Sequence, residues 1–142
     1  MTEFARESAK EALEVDQKKL NLVMIGLTES SVEVDNSVMS ATCEKLGIDN
    51  NDIVDVFRDG RSQVGKSRIV KIRFRNSDAR RRFLTGFVTV RGSIAGAENA
   101  WVRPDLTYNQ RVADRALRQE LHRRRSLGEY VKIKNGEIVS SN

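Results

Sequence analysis

The stretch Asp52–Arg75, DIVDVFRDGRSQVGKSRIVKIRFR, decides the fold, because it contains two apolar segments separated by a basic, glycine-containing one. Within it, GRSQVGKS at Gly60–Ser67 matches the phosphate-loop pattern Gly-x4-Gly-Lys-Ser letter for letter. Such a loop cradles a nucleotide phosphate only where it leads into a helix N-terminus, at which free N–H groups and the positive dipole end converge. Here the following residues alternate instead, with apolar Val70, Ile72 and Phe74 interleaved with basic Lys71, Arg73 and Arg75. That period of two predicts a strand.

The segment therefore predicts a β-hairpin in which the strand Ile53–Phe57 is joined by a basic loop to a strand within Arg68–Arg75. A nucleotide hydrolase that uses Lys66 and Ser67 is the enzyme alternative, but a chain of 142 residues lacks room for its parallel sheet and magnesium-binding strand end. We expect no enzyme activity, no cofactor and no small-molecule substrate. The loop cations Arg61, Lys66 and Arg68 are instead candidates for contacts to a polynucleotide backbone.

Composition predicts a small protein in a reducing compartment. Cys43 is the single cysteine and His122 the single histidine, so a disulfide within the chain is excluded and catalytic candidates are few. No apolar run approaches the ~18 residues of a membrane span, and the acidic N-terminal sequence is not that of a signal peptide. We expect a cytoplasmic protein, with the nucleus left open as a second location, and no membrane contact.

Charge is distributed unevenly along the chain. Residues 1–56 hold 5 Lys+Arg against 12 Asp+Glu, a net of −7, whereas residues 57–142 hold 20 against 8, a net of +12. A basic section of this size attracts polyanions and supports salt-sensitive phosphate contacts. The alternative, ordinary solubility charge, would be favoured if the signs alternated along the section, and they do not. Nucleic acid is the expected partner.

The order of elements predicts an α+β fold. After a helix over Thr2–Leu20, which is either a capping helix or the end of an oligomerising coiled coil, Asn21–Leu27 predicts a central strand. A helix capped by Asp35 or Asn36 and closed by Gly47 follows. Beyond the hairpin, a second helix runs from Ala79 to about Thr85, capped by Asn76, Ser77 or Asp78, with glycines 86, 92 and 96 marking a looser connection before the strand Asn99–Arg103.

Strand, helix, strand, strand, helix, strand is the split βαβ, ferredoxin-like arrangement used by RNA-recognition domains, with a four-stranded antiparallel sheet and two helices on one face. Such domains usually stack bases on aromatics of two sheet motifs. Here the first strand has Val23, Met24 and Ile25 where an aromatic would be expected. We expect the open sheet face to carry Lys71, Arg73 and Arg75 instead. Trp101 is a further candidate from the edge strand, although a lone Trp is more often in a core. Binding through phosphates with little base readout follows.

The C-terminal part predicts a helix from about Asp105 to Leu127 and a terminal hairpin. Helical periodicity separates an apolar stripe of Ala113, Leu117 and Leu121 from a basic stripe of Arg111, Arg115, Arg118, His122 and Arg125. Tyr130–Lys134 and Glu137–Val139 are expected to pair across Asn135-Gly136, the strongest short hairpin signal in the chain, with Lys132 and Lys134 on one face. The predicted domains are residues 1–20, 21–104 and 105–142.

The whole order, NLVMIGLTES, a helix ending KLGI, DIVDVFRDGR, SRIVKIRFRN, WVRPDLT, an Arg-rich helix and YVKIKNGEIV, resembles the nucleic-acid-binding region of first-open-reading-frame proteins of LINE-type (non-LTR) retrotransposons. The baculovirus FP-type C-terminal domain is similar too, and the resemblance covers about residues 20–140. It implies a noncanonical RNA-recognition domain and a small C-terminal domain that bind single-stranded RNA or DNA as a nucleic-acid chaperone in a ribonucleoprotein. By position it implies binding roles for Arg58, Arg61, Lys71, Arg73, Arg75, Arg111, Arg115 and Arg118.

The sequence therefore predicts a single-strand nucleic-acid-binding protein of low sequence specificity, RNA being favoured over DNA, with a homo-oligomer through the N-terminal helix as an option. The alternative is a protein-interaction module whose basic face docks an acidic partner.

Overall fold

The computed structural model describes residues 2–141 and confirms the predicted α+β class. Its helices and strands are, in chain order, α1 (Glu3–Lys18), β1 (Asn21–Ile25), α2 (Val32–Leu46), β2 (Ile53–Arg58), β3 (Val70–Phe74), α3 (Ser77–Val90), β4 (Trp101–Pro104), α4 (Tyr108–Ser126), β5 (Val131–Lys134) and β6 (Glu137–Ser140). The chain divides into two compact units. We call Asp16–Asp105 the sheet unit, and Met1–Val15 with Leu106–Asn142 the hairpin unit.

The sheet unit is built on four antiparallel strands in the order β2-β3-β1-β4. The apolar segment that begins at Asn21 is a central strand, as predicted, because β1 pairs with β3 on one side and β4 on the other. Antiparallel pairing combined with the period of two gives the sheet one apolar and one polar face. Leu22, Met24, Val70, Ile72 and Phe74 are buried on the apolar face.

Both helices of the sheet unit contribute to the core beneath that apolar face. α2 supplies Val38, Met39 and Cys43, and α3 supplies Ala79, Phe83 and Phe87. Phe83 lies edge-on to Phe74 at 5.4 Å between ring centroids and is stacked on Phe87 at 5.8 Å. Burial raises the pKa of the Cys43 thiol to about 11, with further contributions from Asp52 and Asp49, so this side chain behaves as an apolar core residue.

Two helix boundaries differ from the sequence expectation. α2 is capped by Ser31, whose Oγ accepts a hydrogen bond from Val34 N, and not by Asp35 or Asn36. Asp35 lies inside the first turn of α2 and is buried. α3 is capped by Asn76, one of the predicted caps, but it runs through Gly86 to Val90. Gly86 lies inside this helix and faces Leu46 of α2, where a Cβ would come within 2.5 Å of Leu46 Cδ2.

The hairpin unit contains α4 and the β5–β6 ribbon. Thr107 caps α4 in a reciprocal capping box with Gln110, and its hydroxyl donates to Glu11 Oε1 of α1 at 2.6 Å. Asn135 and Gly136 have φ of 52° and 77°, the left-handed values of the tight turn that the Asn-Gly pair predicts. Leu117 and Leu121 are half-buried, whereas the third residue of the expected apolar stripe, Ala113, is exposed.

We expect Phe83→Ala to lower the free energy of unfolding by about 3–5 kcal/mol, because it removes a fully buried ring that contacts two others. Urea denaturation followed by circular dichroism measures the change. Val88→Ala on the same helix is the control, since Val88 is exposed and its truncation is expected to cost less than about 0.5 kcal/mol. Equal effects of the two substitutions would contradict the assignment of the core.

Candidate nucleic-acid interface

The polar face of the sheet carries exposed cations and aromatics, although Val23 and Asn21 on its central strand are buried. Cross-strand pairing places Phe57, Lys71, Val23 and Arg103 in one row across all four strands. A second row contains Asp55, Arg73 and Asn21, and Ile25 pairs with Trp101. Because alternate residues of a strand point to opposite faces, all these side chains lie opposite the core. We call this surface the open face.

Two aromatic side chains lie on the edge strands of the open face. Trp101 on β4 is 50% exposed and Phe57 on β2 is 43% exposed. The general preference of a lone Trp for a core therefore does not hold for Trp101. The sequence did not suggest Phe57 as a binding residue, because an apolar residue in a strand pattern is ordinarily assigned to the core. Phe57 pairs with Lys71 across the two strands. Because the alternation in β3 already places Lys71 on the basic side of the sheet, this pairing places Phe57 on the same side.

The ring of Trp101 rests against Gly26, the residue that follows β1. A Cβ at Gly26 would lie 3.2 Å from Trp101 Cζ3 and 2.9 Å from the carbonyl oxygen of Asn99. Gly26 also has a φ of 87°, which an L side chain rarely adopts. Glycine at this position therefore allows the ring to lie close to the backbone of the central strand.

The cations of the open face differ in how far they are neutralised. Lys71 Nζ lies 3.6 Å from Asp105 and 3.8 Å from Asp59, so its charge is balanced. Arg73 Nε donates only a long bond of 3.5 Å to Asn21 Oδ1. Arg75 and Arg103 are exposed, and within the described residues their side chains have no acceptor in hydrogen-bonding distance. Arg103 was not among the candidates that the sequence suggested, since a basic residue in a four-residue strand gives no pattern.

The phosphate-loop match forms the connection between β2 and β3. Gln63 and Lys66 bridge across a turn at Val64 and Gly65, and the chain then enters strand β3. The prediction that a strand follows the motif is confirmed. No helix N-terminus is present at the end of the motif to supply the N–H groups that a nucleotide-binding loop requires. Arg61 and Lys66 are exposed, and over residues 2–141 neither side chain has an acceptor.

The Arg68 side chain lies at the base of this loop and forms its hydrogen bonds within the protein. Its Nε donates to Glu29 Oε2 at 3.0 Å and its Nη1 to the Gly60 carbonyl at 3.0 Å. Ser67 Oγ accepts from the Glu29 amide at 2.9 Å. The hydrogen bonds from Arg68 lower the pKa of Glu29 to about 2. The candidate phosphate contact at Arg68 therefore serves first to hold the loop onto the segment after β1.

Arg58, which the sequence suggested as a binding residue, is a buried structural residue. Its side chain is 7% exposed and forms a bidentate ion pair with the carboxylate of Asp35 at 2.7 and 2.9 Å. The remaining N–H groups donate to the carbonyls of Leu27, Thr28 and Arg68. All five guanidinium donors are thus occupied, and no N–H is left for a phosphate. Arg58 occupies the apolar side of β2, where the alternation along the strand places it.

The basic residues of the hairpin unit also divide into those with a partner within the protein and those without one. Arg118 is paired with Asp114 at 2.9 Å, and Arg125 Nε donates to the Val131 carbonyl at 3.0 Å. Arg111, Arg115, Lys132 and Lys134 are exposed, and among the described residues none of these four side chains has a partner. The basic stripe on α4 is therefore only partly available to a ligand.

Two further kinds of feature are absent from residues 2–141. In that range no group of three or more His, Cys, Asp or Glu side chains could hold a metal ion. None of the helices described is long and apolar enough to cross a bilayer. No protein-family model matches the chain, and no curated protein matches it either.

We expect Asp35→Ala to destabilise the sheet unit by about 3–5 kcal/mol, because it leaves the buried Arg58 guanidinium without its counter-charge. Urea denaturation measures the loss. Glu44→Ala is the control, since Glu44 is exposed on the same helix and its carboxylate has no partner in the described structure. A loss as small as that of the control would show that the ion pair is not needed for the fold.

The Glu29–Arg68 pair predicts a specific acid response. Because the pKa of Glu29 is lowered from 4.5 to about 2, its contribution to stability is complete above about pH 4.5 and is lost as the pH falls toward 2. Titration of the side-chain carboxyl ¹³C shift should give a midpoint near 2 in the parent protein. Arg68→Ala should return the midpoint toward 4.5, whereas Arg61→Ala should leave it unchanged. A midpoint near 4.5 in the parent protein would refute the pairing.

Proposed function

We propose that the protein binds single-stranded nucleic acid, RNA in preference to DNA, through backbone phosphates and with little sequence specificity. The surface that would carry this function is the open face together with the loop between β2 and β3. The observation behind the proposal is a group of exposed cations without carboxylate partners on this surface. Arg81 and Arg82 on α3, by contrast, both pair with Asp78.

The cations without carboxylate partners are Arg61, Lys66, Arg73, Arg75 and Arg103. Leaving five guanidinium or ammonium groups without carboxylates on one surface produces a positive potential that favours an extended polyanion. Arginine in particular can donate two parallel hydrogen bonds to a phosphate. The unpaired residues Arg111, Arg115, Lys132 and Lys134 of the hairpin unit supply further phosphate contacts in this proposal.

We further propose that the sheet unit is a ferredoxin-like domain of the RNA-recognition kind. The strand order β2-β3-β1-β4, the antiparallel pairing and the shared core of α2 and α3 on one face support this assignment. With the sequence resemblance, it makes the protein a retrotransposon-type nucleic-acid chaperone that acts in a cytoplasmic ribonucleoprotein, without enzyme activity. Self-association through α1, which exposes Phe4 and Leu13, belongs to the same proposal.

A docking site for an acidic protein is the second candidate. Tryptophan and arginine are the residues most enriched at the energetic centres of protein interfaces, and Trp101 and Arg103 lie on the same face. Competition separates the two candidates: a short single strand that displaces a bound protein partner shows that both use this surface.

Nucleic-acid binding is tested by fluorescence anisotropy with a labelled single-stranded oligonucleotide at several salt concentrations. We expect log K to fall linearly with log salt, with a slope of about −0.7 for each phosphate contacted. Replacement of Arg73, Arg75 and Arg103 by alanine should weaken binding at least about tenfold and flatten the slope by about 2. The control is the double replacement of Arg81 and Arg82, which lie on the helical side and share the carboxylate of Asp78. Absent or salt-independent binding would refute the proposal.

A further inference from the structure

We propose that Trp101 and Phe57 are stacking positions for unpaired bases, one on each edge strand of the open face. This inference rests on the proposed function and adds to it the part of the nucleic acid that is recognised. Both rings project from paired strands whose other side is half-buried, so neither exposure results from a frayed terminus. A flat ligand can stack on a large apolar side chain of a sheet face without the entropic cost of ordering a loop.

The spacing of the two rings indicates how many bases are involved. Phe57 and Trp101 belong to β2 and β4, the outer strands of the order β2-β3-β1-β4. Three inter-strand spacings of about 4.8 Å separate these strands by roughly 14 Å. Adjacent stacked bases cannot reach two rings so far apart. The rings would therefore take two bases that are not neighbours, and the intervening backbone would cross β3 and β1.

The side chains near the rings match such a backbone. Lys71 and the buried Val23 lie between the two rings, in the row that joins Phe57 to Arg103. Arg103 lies on β4, two residues beyond Trp101 and on the same face. Arg73 lies in the neighbouring row, between Asp55 and Asn21, and has only the long contact to Asn21. Cations beside two aromatic rings suit a strand whose bases and phosphates both face the protein.

An apolar peptide is a poorer occupant of the same face. It would bury Arg73 and Arg103 without giving them counter-charges, at a cost in desolvation. A base-paired duplex also fits poorly, because its bases are already stacked inside the helix and only its phosphates would be available. Single strands with unpaired bases satisfy both the rings and the cations. Gly26 supports this assignment, since the absence of a Cβ there allows the Trp101 ring to lie close to the end of the central strand.

The test compares a single-stranded oligothymidylate of about 12 nucleotides with an abasic strand of the same length and charge. Trp101 is the only tryptophan of the chain, so intrinsic fluorescence reports on this ring alone. We expect the thymidylate to bind at least about tenfold more tightly than the abasic strand and to quench the fluorescence, and the abasic strand to leave it unquenched.

Variants separate stacking from a general loss of structure. Trp101→Ala should bring thymidylate affinity down by about 5- to 150-fold, toward that of the abasic strand, while Trp101→Phe should retain most of it. Phe57→Ala should act in the same direction. Val88→Ala is the control, because it removes an exposed apolar side chain from α3, on the opposite side of the sheet unit. The urea midpoint of each variant establishes that it is folded.

Two results would overturn the inference, and only one of them would also overturn the proposed nucleic-acid binding. Equal affinity for the thymidylate and the abasic strand, without quenching, refutes base stacking and leaves salt-sensitive phosphate binding in place. Failure of both strands, and of a single-stranded oligouridylate of the same length, to bind refutes the proposed function as well.

Discussion

The guanidinium of Arg58 is the point at which the segments of the sheet unit converge. From the end of β2 it pairs with Asp35 of α2 and donates to the carbonyls of Leu27 and Thr28 after β1 and of Arg68 before β3. A buried cation is tolerated only when its hydrogen-bonding capacity is fully used, and here each donor has an acceptor. The geometry of the loop between β2 and β3, and with it the position of its exposed cations, depends on this arrangement.

The structure divides the basic residues of the chain between two roles. Arg58 and Arg68 use their hydrogen-bonding geometry internally, and Lys71 is balanced by Asp59 and Asp105. The cations left over lie mainly on the open face, on the adjoining loop and on the hairpin unit. Net charge therefore overstates how much positive surface is available to a ligand. The relevant quantity is the number of cations without carboxylate neighbours, and this number depends on the fold.

Local patterns were sufficient for most of the secondary structure. The alternation from Val70 to Phe74, the Asn135-Gly136 turn and the closure of α2 at Gly47 act within a few residues, so the printed sequence already contains the interactions that produce them. The errors arose where a local rule competed with a distant partner. Asp35 has the side chain of a helix cap, yet Ser31 caps α2, and the carboxylate of Asp35 instead pairs with Arg58, 23 residues away.

The sequence by itself determined the α+β class, the order of elements, the strand after the phosphate-loop match and the basic side of β3, since periodicity and turn chemistry are local properties. Tertiary structure alone decided which cations are consumed by ion pairs and which aromatics face solvent. Arg58 and Arg61 look equivalent in the sequence, but one is buried against Asp35 and the other is exposed. Likewise, Phe57 and Trp101 share a face only because strand pairing across the sheet places them there. Contacts between residues far apart in the chain decide these points, and no local pattern encodes them.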